Sequence, residues 1–477
     1  MTSEVVLRRL ILPVVLATAC IATWVAAQRL GDLAVEPVAA VGSTEEQLGT
    51  PMTSVRRAPW IATTSLRGQR IDLALQSMPE PPSLLSCATV MLDGEVVHEV
   101  RGDAGLVTGF AQLLATGHIA LDRLGPGHRF DTRVMAVDRP DENGRLRGDL
   151  YLIGGGDPVL MTYGYSRGFR PIHTTRTPFE DLVTSVVDAG ITGIDGAVVG
   201  VEARYDRTRT PRWPGSYLDA GIAGWLTALQ VDDGFVRRPI AGSGAVGAVE
   251  PAQLAADRFT AALLAEGIEV TSTARQPTED ESLTDLVPIT SITSPTLAEL
   301  TWQLWAVNDA SAAEMLMKEL GLQFGTGGST AAGGEVVRES LADSGVVLDT
   351  APSDGSGLDP AGALGCRALA DTMRSIPADH PSRGLLPTPD LPGVYDGLLA
   401  DLGIRAELRL VGGVVGDTAS FVATTVDEGS EVVIASIVNR SGGPDDRDVA
   451  YHRELLERID DLRLAWSDVS IDDGDDR

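Results

Sequence analysis

A serine becomes nucleophilic when a lysine sits one helical turn later, because residues i and i+3 share a helix face and the amine can take the hydroxyl proton. That chemistry needs a Ser-x-x-Lys quartet. The 477-residue chain holds a single lysine, Lys318, and the residue three places before it is Met315. The quartet therefore occurs nowhere. Ser356, in Gly355-Ser356-Gly357, is not the centre of a Gly-x-Ser-x-Gly elbow, because Asp354 stands two positions before it. Asp354-Gly355-Ser356-Gly357 reads as a structural turn, with Asp354 capping it and the glycines taking positive φ. The sequence leaves open a Ser-His-Asp triad assembled only in three dimensions. The six histidines (98, 118, 128, 173, 380 and 452) are scattered and no Cys-x-x-Cys exists, so neither metal nor cofactor is expected. Gly154-Gly155-Gly156-Asp157-Pro158 matches no glycine-rich nucleotide fingerprint and reads as a tight turn.

These residues must be positioned by a sizeable globular chain. Hydrophobic residues make up 43% of it and the mean hydropathy is +0.06, which excludes general disorder. At ~150 residues per domain, about three units are expected. The net charge of −29 argues against a nucleic-acid partner, which would require a basic footprint. Arg8-Arg9 precede an uncharged run from Leu10 to Ala27, long enough to be either a signal anchor or a signal peptide cleaved near Ala27. Either places the rest outside the cytoplasm, tethered to or released from the membrane. Cys20 lies in that run. Cys87 and Cys366 lie in the exported part, where a disulfide or two buried thiols are both open.

Ser86–Leu92 and Glu95–Val100, joined by Asp93-Gly94, predict a β-hairpin. Helices are expected over Ser65–Met78, Thr108–Leu124, Phe179–Ala189, Ala252–Glu266, from Ser294 through Leu304, Ala312–Leu320, Thr330–Asp343 and Arg453–Leu462. Strands are expected over Phe130–Ala136, Leu150–Ile153, Gly196–Gly200, Ala419–Thr425 and Glu431–Val438. The order suggests one sheet built from both chain ends, helices on its faces and an inserted β-rich module.

Several stretches carry a resemblance. They are Leu124-Gly125-Pro126-Gly127-His128-Arg129-Phe130, Gly155-Gly156-Asp157-Pro158, Arg212-Trp213-Pro214, Asn308-Asp309-Ala310 and, most diagnostic, Asp354-Gly355-Ser356-Gly357-Leu358. With them the chain resembles the D-alanyl-D-alanine carboxypeptidase/endopeptidases of the penicillin-binding protein 4 type, in the class C low-molecular-mass group and its actinobacterial branch. The resemblance implies an α/β fold: a penicillin-binding, serine DD-peptidase/β-lactamase-like domain from residues 55–127 and 291–466, with residues 128–290 inserted. Residues 1–30 would be the signal segment, 31–54 a linker and 467–477 an acidic disordered tail. It also implies a Cys87–Cys366 pair.

The family's S-x-x-K, S-x-N and K-T-G elements fall on altered residues. The nucleophile position is Phe110 and its lysine Leu113; from Ala104 to Leu121 there is no Ser, Lys or Arg. Thr108, Gln112, Thr116 and His118 are the polar candidates there. S-x-N maps to Asn308 and Ala310, and K-T-G to Val411, Gly412 and Gly413. Arg409, two residues before the lysine position on the same strand face, is the candidate for supplying positive charge. No catalytic residue is therefore expected. The resulting expectation is a cell-wall homologue that has lost acylation and binds peptidoglycan stem peptides or cell-wall proteins. The alternatives are an active serine-type carboxypeptidase with an unrecognised nucleophile, and an interaction protein that uses the 128–290 segment.

Overall fold

A computed structural model describes residues 58–167, 175–238, 244–389, 407–427 and 429–467. The chain divides into two units, Met1–Pro59 and Trp60–Arg477, and the elements below belong to the second, which helix α1 (Ala58–Gln76) enters. The apolar run at 10–27, the linker at 31–54 and residues 468–477 lie outside the described residues. Among the described residues no helix is long and apolar enough to cross a membrane.

The main sheet joins both ends of this unit. Strands β1 (Ser86–Leu92) and β2 (Glu95–Val100) form the predicted hairpin, and both turn residues, Asp93 and Gly94, take positive φ. Farther along lie β3 (Asp131–Ala136), β4 (Leu150–Ile153), β5 (Val198–Val201) and β6 (Val287–Thr293). Near the end come β7 (Arg409–Val415), β8 (Thr418–Asp427) and β9 (Ser430–Asn439). The main sheet has the order β7-β8-β9-β1-β2, with β1 running antiparallel to β9 from Ser86↔Val438 to Leu92↔Val432.

Every residue of β1 is buried, because helices cover both faces. Ala88, Val90 and Leu92 point to Ile71 and Leu75 of α1 and to Leu455, Leu456 and Ile459 of α9 (Asp446–Ser467). Cys87 and Met91 point the other way, into the larger core. That core also takes in residues of α2 (Leu113–Leu124), α5 (Leu297–Val307), α6 (Ala310–Phe324), α7 (Thr330–Asp343) and α8 (Cys366–Ser375), and β1 packs directly on α8. A disulfide joins Cys87 to Cys366 across 279 positions and ties β1 to α8.

A second, four-stranded sheet has the order β6-β3-β4-β5. Helices α3 (Phe179–Asp188) and α4 (Pro251–Ala265) pack on one face through Phe179, Leu182, Phe259 and Leu263, forming a separate core. Some elements differ from expectation. The stretch expected as one helix from Thr108 begins with a 3-10 turn, Gly109–Gln112, and becomes α-helical only at Leu113. Gly109 takes φ +56 and leaves no space for a side chain beside Thr418. The final helix starts at Asp446 and reaches Ser467, longer than the apolar pattern at 453–462.

Candidate functional site

Three segments far apart in sequence meet in one corner. The 3-10 turn delivers Phe110, the end of α5 delivers Asn308, and the edge strand β7 delivers Gly412 and Gly413. A Cβ placed on Gly413 would lie 2.9 Å from Asn308 Nδ2 and 3.4 Å from Phe110 Cδ2. The fold therefore gathers the positions expected for nucleophile, proton shuttle and binding strand, but with other residues in them. Phe110 is 7% exposed and belongs to the large apolar core. Leu113 is fully buried, and its carbonyl accepts a hydrogen bond from Trp305 Nε1 at 2.7 Å. Gly117, one turn on, makes room for that indole, since a Cβ there would lie 2.7 Å from it.

Asn308 closes α5 in the left-handed region, at φ 57 and ψ 50, a conformation that asparagine tolerates well. Its Nδ2 donates to Gly412 O at 3.0 Å, so the side chain covers a backbone acceptor of β7. Ala310 is buried and brings no amide. Asp309 caps α6 by accepting from Ala312 N at 2.9 Å. Asp233 comes close to this cap, and Tyr165 OH donates to its Oδ2 at 2.8 Å. Burial, with Asp309 adding, pushes the Asp233 carboxyl up to about 7. Nothing in the sequence pattern marked this pair, because the two residues belong to unrelated local motifs.

Arg409 does not supply charge to this corner, contrary to expectation. It lies four residues from Gly413 on β7, roughly 13 Å along the strand. Its guanidinium donates to Leu386 O at 3.0 Å and to Glu407 at 2.8 Å. Lys318 is also committed elsewhere. Its side chain is wholly buried, and Nζ meets Asp206 Oδ1 at 2.6 Å and Thr208 O at 2.8 Å.

The Asp354–Leu358 loop is held from four sides. Asp354 Oδ2 accepts from Ser356 Oγ at 2.7 Å, Trp213 Nε1 at 2.7 Å and Leu358 N at 3.0 Å, while Oδ1 accepts from Gly357 N at 2.9 Å. Gln112 Nε2 reaches the Asp354 carbonyl, and Thr116 Oγ1 donates to Gly355 O at 2.6 Å. Thus Ser356 donates to a carboxylate inside a fully buried turn and is no nucleophile facing a substrate. The Arg212-Trp213-Pro214 landmark gains a physical role too, because Arg212 pairs with Asp359 at 2.9 Å beside the Trp213 contact.

Sequence reasoning missed Glu314, whose Oε2 accepts from Gly355 N at 2.7 Å and whose other oxygen accepts from Thr330 Oγ1. Burial, with Asp354 adding, pushes its carboxyl from an ordinary 4.5 up to about 7. An acid raised by folding is stabilising only while protonated. Its contribution falls as pH climbs from about 4.5 through about 7. Glu314→Gln is therefore expected to remove up to about 3 kcal/mol of stability loss over that window. Urea unfolding at pH 5 and pH 8 checks this; an unchanged difference between the two would refute the assignment.

One buried Ser–His pair exists among the described residues away from this corner: His118 Nδ1 lies 3.0 Å from Ser382 Oγ. Burial, with His380 adding, pushes His118 down to about 3, so the ring is neutral. Ser382 is fully buried, and the nearby carboxylate, Asp122, faces His380 at 3.8 Å instead of His118. This is packing, not a triad. The glycines at 154–156 are close-packing devices: Cβ atoms on Gly154 and Gly155 would lie 2.2 Å from Ala228 O and 2.1 Å from Asp131 O.

A two-ended sheet, a 3-10 turn delivering position 110 and an edge strand facing position 308 define an α/β scaffold of the penicillin-binding type. The chain belongs to the D-Ala-D-Ala carboxypeptidase 3 (S13) family, which matches residues 69–249 and 238–388. A D-alanyl-D-alanine carboxypeptidase from Actinomadura sp. (strain R39) is 27% identical over 384 residues, spanning 68% of this chain and 70% of that protein. Penicillin-binding protein 4 from Haemophilus influenzae superposes with a TM-score of 0.65 at 16% identity, over 82% of this chain and 99% of that one. The same protein complexed with a β-lactam gives 0.62 at 14% identity, with the same coverage. The chain is thus a homologue of the D-Ala-D-Ala carboxypeptidases of peptidoglycan metabolism.

Proposed function

We propose that this chain is a catalytically silent member of its family, acting outside the cytoplasm by binding or regulation in cell-wall metabolism. The observation that carries this reading is the fate of the only lysine: Lys318 is buried in an ion pair with Asp206. The nucleophile and base positions are then left to Phe110 and Leu113, both within the apolar core. Losing one member of a cooperating catalytic set removes most of its rate, and here all the expected members are replaced. The division into residues 55–127 with 291–466, and 128–290 as an insert, belongs to the same proposal. So does tethering or export through residues 10–27.

The partners proposed are peptidoglycan stem peptides or cell-wall proteins. An extended peptide added to the β7 edge would compete with the Asn308 amide for Gly412 O. That favours wall proteins recognised through other surfaces over stem peptides seated in the corner. The test is the intact mass of the purified chain after incubation with excess penicillin. An unchanged mass is expected. A stoichiometric covalent adduct would show a surviving nucleophile and overturn the reading.

A further inference from the structure

A cavity of about 230 Å3 opens where β3 begins, lined by Arg129, Phe130, Asp131, Arg133, Gly155 and Arg204. It lies well away from the Phe110–Asn308 corner. From Ala310 at the start of α6 to Glu319, which holds Arg204, the helix advances nine residues, roughly 14 Å. Three guanidiniums in one small cavity are unexpected on a chain with net charge −29.

Each is held by different structure. Arg129 donates through Nη1 to Ser294 O, while Phe130 N donates to Ser294 Oγ at 2.9 Å, which fixes the approach to β3. Arg204 forks onto Glu319 through Nε at 2.9 Å and Nη2 at 2.5 Å. Arg133, exposed and two residues beyond Asp131 on the same strand face, makes no side-chain hydrogen bond or ion pair with the described residues. The wall at Gly155 is bare backbone, since a Cβ there would collide with Asp131 O. Asp131 is itself engaged by Thr293 Oγ1 at 2.8 Å. His128, 4.0 Å from Glu319, is held below its usual range chiefly by burial and adds no charge at neutral pH.

Three guanidiniums set against the carboxylates of Asp131 and Glu319 leave one positive charge. Guanidinium forks match the paired oxygens of carboxylates and phosphates. We propose that this cavity binds a singly charged oxygen anion, a carboxylate or a phosphodiester. The proposal does not depend on whether the Phe110–Asn308 corner is catalytically silent.

Titration calorimetry of the full chain at low salt tests it, with polyglycerol phosphate in one arm and polygalacturonate in the other. Binding in at least one arm is expected, and the arm that binds names the source of the anion. Added salt should weaken it, and Arg133→Glu should weaken it at least tenfold. Arg338→Glu, at a half-buried position of α7, should change it less than twofold. Thermal unfolding of both variants checks that they remain folded. No binding in either arm overturns the proposal, as does equal weakening by the two variants. Because the chain's overall charge repels polyanions, a general electrostatic attraction would not produce the expected pattern.

Discussion

Asp354→Ala is expected to remove about 3–5 kcal/mol of folding stability, because it strips a buried carboxylate from several donors at once. Asp354 is fully buried, and its oxygens accept from Ser356, Trp213, Gly357 and Leu358. Alanine leaves the Trp213 indole N–H and the backbone N–H groups of Gly357, Leu358 and Asp359 without that acceptor in a buried site. The Trp213 contact links residues 128–290 to the loop, so the loss would also loosen that attachment. Ser356→Ala should cost only about 1 kcal/mol, since it deletes one donor and strands none. Urea denaturation of both variants measures the difference. If Asp354→Ala costs no more than Ser356→Ala, the loop is not the joint described here.

Asp206→Ala is expected to cost about 3 kcal/mol, while Lys318→Met should change stability by no more than about 1 kcal/mol. The asymmetry follows from burial. Removing Asp206 leaves a wholly buried ammonium with only Thr208 O for company. Replacing Lys318 with methionine keeps most of the volume and removes the buried charge, and Asp206, with its side chain 36% exposed, turns to water. Thermal or urea unfolding reads both values. A larger loss for Lys318→Met than for Asp206→Ala would mean that the lysine serves some purpose beyond this ion pair.

Local elements were legible wherever a short pattern dictates a local answer. The β1–β2 hairpin matched in its strand bounds, because Asp93-Gly94 fixes the turn, although a bulge between Val90 and Met91 shifts the register farther along. Helix α7 also began and ended where expected, with Ser329 capping it onto Ala332 N. The strand β6 was missed, since its partly exposed, mixed sequence shows no clean alternation. Helix α8 was missed as well; its apolar stripe is short and sits among charged residues. The first turn of the Thr108–Leu124 stretch departed from α-helix because Gly109 N bonds to Gly357 O at 3.0 Å, a tertiary demand that overrides local propensity.

The amino-acid sequence alone rules out a serine–lysine quartet, since a count of one lysine holds in any fold. It also marked Phe110, Asn308 and Gly413 as positions that the family fold would bring together. What fills that corner and where the charges go depend on how distant segments pack. Glu314 and Lys318 stand one helical turn apart, yet Lys318 bonds Asp206 and Glu314 bonds Gly355 and Thr330. Likewise Arg409 turns to Leu386 and Glu407. The physical reason is that periodicity encodes which face of an element is buried, whereas a buried charge takes its partner from whatever segment packs opposite. Lys318 and Asp206 are 112 positions apart, and nothing local in either sequence names the other.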